Sequence, residues 1–286
     1  MPAPIVPAPT MPAPAPAVTR TPIGRPRGLL APLSPAAYAC GHAAFEARST
    51  QRAVIADWLG ERLARRPGPL SLLSVGCGDG RLDAQLARRL ATPGAEPVRY
   101  DGLDPHAPSA ARFLLELAQV PGAVPTATVA GVEQLDRRAQ HDVVLAVHSL
   151  YYVGDLAGTV ARLRRAVRPG GELVVLLAST TGLNALASTL APPTGGHRQW
   201  WSEDLGQALD DLDLPASRTS LRGVLDLDDC LDAADETGRH VLDFTVQGHV
   251  PAALRLPVLD ELVALRRPGR GLRLDHPVDA WVVPAP

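Results

Sequence analysis

Residues 73–80 read Leu73-Ser74-Val75-Gly76-Cys77-Gly78-Asp79-Gly80, an apolar run that breaks into Gly-x-Gly-x-Gly. Residues 70–76 (LSLLSVG) are short, apolar and end in glycine, the pattern of a buried strand, and residues 82–91 follow with helical spacing. A strand that runs through glycines into a helix turns tightly and lets a ligand approach the backbone with no Cβ in the way. The loop alone is weak evidence for any one ligand, because dinucleotide enzymes use a related one.

The same rhythm continues downstream. Strand-like stretches at 98–104 (VRYDGLD), 125–130, 142–148 (DVVLAVH) and 172–178 (ELVVLLA) alternate with helical ones at 109–119 and 156–167, and Pro169-Gly170-Gly171 makes a sharp turn. This alternation predicts an α/β fold, a doubly wound, mostly parallel, Rossmann-like sheet of seven strands with helices on both faces. Upstream, 35–47 and 50–65 read as two helices that form a lid. In the first, Tyr38, His42 and Glu46 recur at every fourth residue and so share one slanted stripe. Thr50, or Ser49 beside it, suits the N-cap of the second. Beyond residue 180 the pattern is less regular. Helices are expected at about 202–212, capped by Ser202, at about 226–234 and at about 251–266, with a last strand at 278–283. Residues 1–30 are a Pro/Ala tract, expected to be a disordered or extended tail, which leaves 31–286 as one domain.

Composition narrows the partners. Of 286 residues 46% are hydrophobic and 20% charged, and the net charge is −2 with no long basic run, so a nucleic-acid surface is disfavoured. All 28 basic residues are arginine. No apolar run reaches the roughly 18 residues of a membrane span, and the N-terminus lacks the basic start and apolar core of a secretory signal. Cys40, Cys77 and Cys230 lie far apart and form no metal set; reduced thiols in a cytoplasmic protein are the expectation. The acidic run at 226–235 reads as a solvated face, because no histidine joins it at ligand spacing. The expected partner is therefore a small molecule, with neither nucleic acid nor membrane, on a monomer or homodimer.

Asp104 ends the second strand, 24 residues after Gly80, where a carboxylate can accept both hydroxyls of a ribose. The fourth strand opens on His141-Asp142, and the fifth follows Arg168-Pro169-Gly170-Gly171-Glu172-Leu173. This series resembles the class I S-adenosylmethionine-dependent methyltransferases. The resemblance implies S-adenosylmethionine as cofactor and S-adenosylhomocysteine as product. It implies that Ser74, Gly76 and Gly78 face the amino-acid half, Asp104 the ribose, Gly131 and Val132 the adenine, and Val147 and His148 the sulfonium.

A closer resemblance rests on His148-Ser149-Leu150-Tyr151-Tyr152-Val153-Gly154-Asp155, on Gln199-Trp200-Trp201-Ser202-Glu203-Asp204-Leu205, and on Leu225–Leu231 with Leu242-Asp243-Phe244. These are similar, in shared order over roughly 35–284, to the histamine N-methyltransferase-like group. Against that group, the acidic residue near the start of the second helix appears as Gln51, a glutamine after the fourth strand as His148, and an asparagine before the last strand as His276. Losing the carboxylate argues against histamine, since a buried ammonium needs an anion. Two histidines in place of amides point instead to added acid/base work, with His148 placed by sequence as the catalytic base and Tyr38 and Glu46 as its orienters. In a chain only 4% aromatic, Tyr151, Tyr152, Trp200, Trp201 and Phe244 cluster near the expected pocket and, with the matched positions Gln51 and His276, are expected to form the site of a small nitrogen-bearing aromatic molecule. Two chemistries fit: N-methylation of a heteroaromatic amine, and C3-methylation of an indole such as a tryptophan-derived diketopiperazine, closing to a pyrroloindole. The His148-Ser149-Leu150-Tyr151 stretch differs from the Pro-Pro-aromatic signature of enzymes that methylate nucleic-acid bases. His42 reads as structural or solvent-facing.

Overall fold

In the computed structural model residues 30–285 are described, except 67, 92–95, 137, 194–197 and 270. The tract expected to be a tail lies outside the described residues, apart from Leu30, which is buried. The elements run α1 (Pro35–Arg48), α2 (Gln51–Leu63), β1 (Ser71–Val75), α3 (Arg81–Leu90), β2 (Val98–Asp104), α4 (Ala107–Ala118), β3 (Ala123–Val129) and β4 (His141–Val147). They continue with α5 (Leu156–Ala166), β5 (Val167–Leu177), α6 (Asn184–Leu190), α7 (Ser202–Asp211), β6 (Ser217–Asp226), α8 (Glu236–Thr245), α9 (Ala252–Ala264) and β7 (Arg273–Pro284).

All seven strands join one sheet in the order β3-β2-β1-β4-β5-β7-β6. β7 runs antiparallel to both of its neighbours; the pairs from β3 to β5 are parallel. Side chains alternate across a strand, and here both faces are covered, so neighbours enter different cores. Leu72, Tyr100, Leu145 and Leu176 pack on one face with α2, α3 and α4, while Leu73, Leu103, Val144 and Val175 pack on the other with α5 and α7. That is why these strands read as continuous apolar runs. A third core, with Phe45, Leu225, Val241, Phe244, Leu259 and Leu274, fastens the α1, α8 and α9 layer onto the end of the sheet.

The chain order reverses between β1 and β4, and the carboxyl ends of those strands flank a crevice, the usual ligand position in an open α/β sheet. Motif residues outside the crevice hold the frame. Buried Asp142 accepts the Ser71 N–H (2.8 Å) and ion-pairs with Arg168, tying the starts of β1, β4 and β5.

The C-terminal third departs from expectation. Residues 217–226 form a strand that no helix or strand reading anticipated, and the helix expected at about 226–234 starts instead at Glu236. Polar and apolar residues alternate in β6, burying Leu221, Gly223 and Leu225. The acidic run turns the chain, as aspartates favour: the Asp228 N–H donates to Asp226 Oδ1 (3.1 Å) and the Ala234 N–H to Asp232 Oδ1 (2.8 Å). The last strand begins five residues before 278. Pro277 fits inside it because only β6 pairs there; β5 pairing starts at Asp279. Trp201, not Ser202, caps α7: its N–H donates to Asp204 Oδ2 (2.9 Å), while Ser202 is buried and accepts from Trp281 Nε1 (2.8 Å). Neither Thr50 nor Ser49 gives the expected side-chain cap to the first-turn amides of α2 beyond Gln51, whose N–H donates to Ser49 Oγ (3.1 Å).

Candidate active site

Two chambers meet at the crevice. The first, of about 340 Å3, is lined by Ser74, Gly76, Gly78, Asp83, Val147 and His148, with His42, Glu46, Gln51 and Arg52 from the lid. The second, of about 140 Å3, is walled by Tyr38, Phe45, Tyr151, Tyr152, Trp201 and Phe244. His42, Glu46, Gln51 and His148 line both and form the shared wall.

The first chamber is a backbone construction. Gly76 and Gly78 have φ of +64° and +55°, the left-handed region that favours glycine. At Gly76 a Cβ would lie 2.4 Å from Ser149 Cβ; at Gly78 it would meet nothing within 4 Å, so that stretch of backbone faces open space. Asp104, 8% exposed, stabilises this shape: Oδ2 accepts the Gly78 N–H (2.9 Å) and Oδ1 the His106 N–H (2.8 Å). Its carboxylate braces the loop beside Gly78, whose backbone lines the chamber. Gly131 and Val132 stand outside the lining; Val132 packs on the core beyond β4. A residue missed by sequence reasoning, Asp83, is buried in the first turn of α3 beside Ser74 and Tyr100, and burial pushes its carboxyl up to about 6. Its inward place on the Ala84–Ala87 face of an amphipathic helix was the available signal.

The second chamber is a side-chain construction. His148 has φ of +52° directly after β4, and its N–H donates to Leu176 O (3.0 Å), which fixes the turn. Its ring is held at both nitrogens: Nε2 lies 2.8 Å from Gln51 Oε1 and Nδ1 2.7 Å from the Tyr151 hydroxyl. Gln51 Nε2 donates to His276 O (3.0 Å) and Pro277 O (3.3 Å), so its oxygen faces the ring and Nε2 of His148 must carry the proton. Tyr151 then donates to Nδ1 and accepts the Ala178 N–H (3.0 Å). Burial, with the nearby His42 and Arg52, lowers His148 to about 4; burial, with His148, lowers His276 to about 3. Both rings are neutral at pH 7.

This geometry changes several expected roles. His148 is oriented by Gln51 and Tyr151, not by Tyr38 and Glu46, and its lone-pair nitrogen is engaged. Tyr38 stands at the rim, stacked on His42 (6.2 Å) and edge-on to Phe244 (5.2 Å). Glu46 lies on the shared wall in an ion pair with Arg52. Trp200 is not part of the chamber: its Nε1 donates to Val153 O (2.7 Å) and it packs on the core. Trp201, Tyr152, Phe244 and His276 are in the lining as expected, and His42, read as structural, joins them. The stripe of Tyr38, His42 and Glu46 does face the site.

Among the described residues no helix is long and apolar enough to cross a membrane, and no group of histidine, cysteine and acidic residues could hold a metal ion. All three cysteines are free thiols.

Residues 73–173 match a family model described as a methyltransferase domain. Histamine N-methyltransferase of Xenopus tropicalis is 24% identical over 221 residues, 68% of this chain and 73% of that protein. A ubiquinone biosynthesis O-methyltransferase of Rhodopseudomonas palustris is 33% identical over 108 residues, 37% of this chain and 39% of its own. Among solved structures, a candidate methyltransferase from Bacillus halodurans superposes with a TM-score of 0.55 at 12% identity, over 81% of this chain and 98% of that one. The [4+2]-cyclase SpnF superposes at 0.50 and 17% identity, over 81% and 80%. The last of these shows that the architecture alone does not fix the reaction.

Proposed function

We propose that the chain is a class I S-adenosylmethionine-dependent methyltransferase and that it methylates a small, electrically neutral, nitrogen-bearing aromatic molecule. The observation that carries this reading is charge. The aromatic chamber has one carboxylate in its lining, Glu46, and Arg52 already neutralises it. His148 and His276 are uncharged. A protonated amine would enter without an anion, which burial makes costly. Size agrees: 140 Å3 is on the scale of a roughly 150 Å3 cavity that binds benzene.

The first chamber suits the cofactor. Gly78 leaves room against bare backbone, and Ser74, Gly76 and Val147 complete the wall. S-adenosylmethionine, when bound, supplies a methyl group on a cationic sulfur. This chain's residues align and seal the acceptor. Tyr151, Tyr152, Trp201 and Phe244 sandwich a flat ring. His148, locked as a neutral N–H tautomer with both ring nitrogens engaged, forms part of the shared wall against which the reacting ring is placed and acts by position. A neutral ring nitrogen or carbon that gains a methyl sheds a proton, and Glu46 on the shared wall takes it. The cytoplasmic setting expected from three free thiols belongs to the same proposal.

A second reading, methylation of an indole at carbon 3 with closure to a pyrroloindole, is favoured by His276. Its Nδ1 lies 2.8 Å from Ser49 Oγ, and its Nε2 has no partner among the described residues. With the proton on Nδ1, Nε2 accepts an indole N–H. Incubation with S-adenosylmethionine and a panel of indoles, neutral heteroaromatic amines and protonated alkylamines tests the proposal. Turnover confined to neutral rings, with the product's carbon or nitrogen assigned by NMR, is expected. Fastest turnover on histamine or another ammonium would refute it.

A further inference from the structure

On the wall of the glycine-loop chamber the carboxylates and guanidiniums stand in pairs, except at Asp83. Arg81 holds Asp79 (3.2 Å), and Arg52 holds Glu46. Asp83 lies on the same wall, only 5% exposed, with no ion pair among the described residues. Its neighbours are the uncharged hydroxyls of Ser74 and Tyr100, and Asp79, whose charge has the same sign. A buried carboxylate without a cation is costly, and native chains rarely keep one unpaired. The packing of α3 does not call for it: Ala84, Leu86 and Ala87 fill the rest of its buried face, where an apolar side chain would serve. The unmatched negative charge belongs to a cavity wall, so a cation in the cavity is what can match it.

We propose that Asp83 is the counter-ion of the cofactor's α-ammonium. The two chambers divide the charge between them: the aromatic one has no unpaired anion for a cation, whereas this one has a carboxylate beside Ser74, at the foot of the glycine loop. An ammonium that donates to a carboxylate sheltered from water makes a charge-assisted hydrogen bond. The inference rests on the glycine-loop chamber being the cofactor site. It also couples binding to a proton. Burial holds the carboxyl of the empty chamber up to about 6. An arriving ammonium requires the anion, so near pH 6 about half a proton per site passes to the buffer. The other groups that face the chamber do not supply it: burial keeps Cys77 and Tyr100 protonated and His148 neutral, and Asp79, Glu46 and their arginines stay paired. His42, on the lid, meets any ligand of the same shape alike, so two ligands that differ only in the ammonium isolate Asp83.

The test is calorimetry on the full chain with S-adenosylhomocysteine and with its analogue in which hydrogen replaces the α-ammonium. Removing the ammonium should weaken binding to the wild type about tenfold to a hundredfold. Asp83→Asn should weaken S-adenosylhomocysteine on the order of tenfold and leave the analogue within about twofold. Titrations near pH 6 in two buffers of different ionisation enthalpy should show about half a proton released by S-adenosylhomocysteine, and no release with the analogue or with Asp83→Asn. The two wild-type readings stand even if the variant fails to fold. A preference for the ammonium that survives Asp83→Asn, or a proton release equal for the two ligands, overturns the inference while leaving the cofactor site intact. No binding of either ligand to the folded wild type overturns the cofactor-site reading and this inference with it.

Discussion

The glycine-loop chamber takes the largest share of its walls, just under half, from one stretch of chain, Ser74 to Leu86, whereas the aromatic chamber gathers side chains from α1, α2, the turn after β4, α6, the start of α7, α8 and β7. The first is shaped by backbone angles and two amide-to-carboxylate bonds. The second is shaped by which rings happen to meet when distant elements pack. A backbone cradle is set by left-handed angles at Gly76 and Gly78 and, at Gly76, leaves no room for an added carbon. A side-chain chamber can be retuned one residue at a time. The pairing explains how a fold keeps one cofactor while its acceptor varies.

That contrast can be broken most severely at Gly76. Gly76→Ala puts a methyl against Ser149 and forces alanine to positive φ. S-adenosylhomocysteine affinity should fall on the order of a hundredfold, whereas Phe244→Leu in the other chamber should leave it within about twofold. Equal effects from the two variants, by calorimetry, would erase the distinction. Tyr151→Phe comes next. It removes the proton donated to His148 Nδ1 and the acceptor of the Ala178 N–H, so turnover should drop about tenfold to a hundredfold with cofactor affinity unchanged. Full activity would show that His148 needs no such positioning.

The histidines sharpen the contrast through pH. Folded His148 and His276 titrate at about 4 and about 3, below the ordinary 6.5, so the unfolded chain binds more protons as pH falls. Their contribution to stability is complete above about 6.5 and is lost as pH drops toward 4, on the order of 2–4 kcal/mol at pH 5 for the pair. His276→Asn should recover roughly half of that loss in denaturant titrations. An unaltered acid limb would contradict the assignment. Asp83 in the other chamber carries the opposite sign. Its folded pKa of about 6 exceeds the ordinary 3.8, so without cofactor it weakens the fold as pH rises from about 4 through 6. Asp83→Asn should match the wild type at pH 4 and be more stable above pH 6, by about 2–3 kcal/mol. The reverse ordering would mean that Asp83 is stabilised as an anion.

Legibility followed the same division. Local signals sufficed where local geometry makes the structure: the glycine loop, the βα alternation and the Tyr38, His42, Glu46 stripe all sit where spacing put them. Asp104 was found by position, yet its bonds to Gly78 and His106 could not be read from spacing. Beyond residue 180 the signal failed for physical reasons. β6 lies at the sheet edge, and its SRTSLRGVLD alternation is diluted by polar residues on its open face. α6 has only seven residues, too short to display a period. Trp200 and Trp201 are adjacent in sequence, but only packing decides that one joins the core and the other the chamber. His148 was found, but not its clamps, because Gln51 reaches it across 97 residues.

The central claim is that one adenosyl ligand lies in the glycine-loop chamber with its sulfur at the wall shared by His42, Glu46, Gln51 and His148. A crystal structure with S-adenosylhomocysteine tests it most directly. The account predicts the amino-acid half against Gly76–Gly78 and the sulfur facing His148 and the aromatic chamber. A ligand bound elsewhere, or reversed so that adenine meets His148, would contradict it.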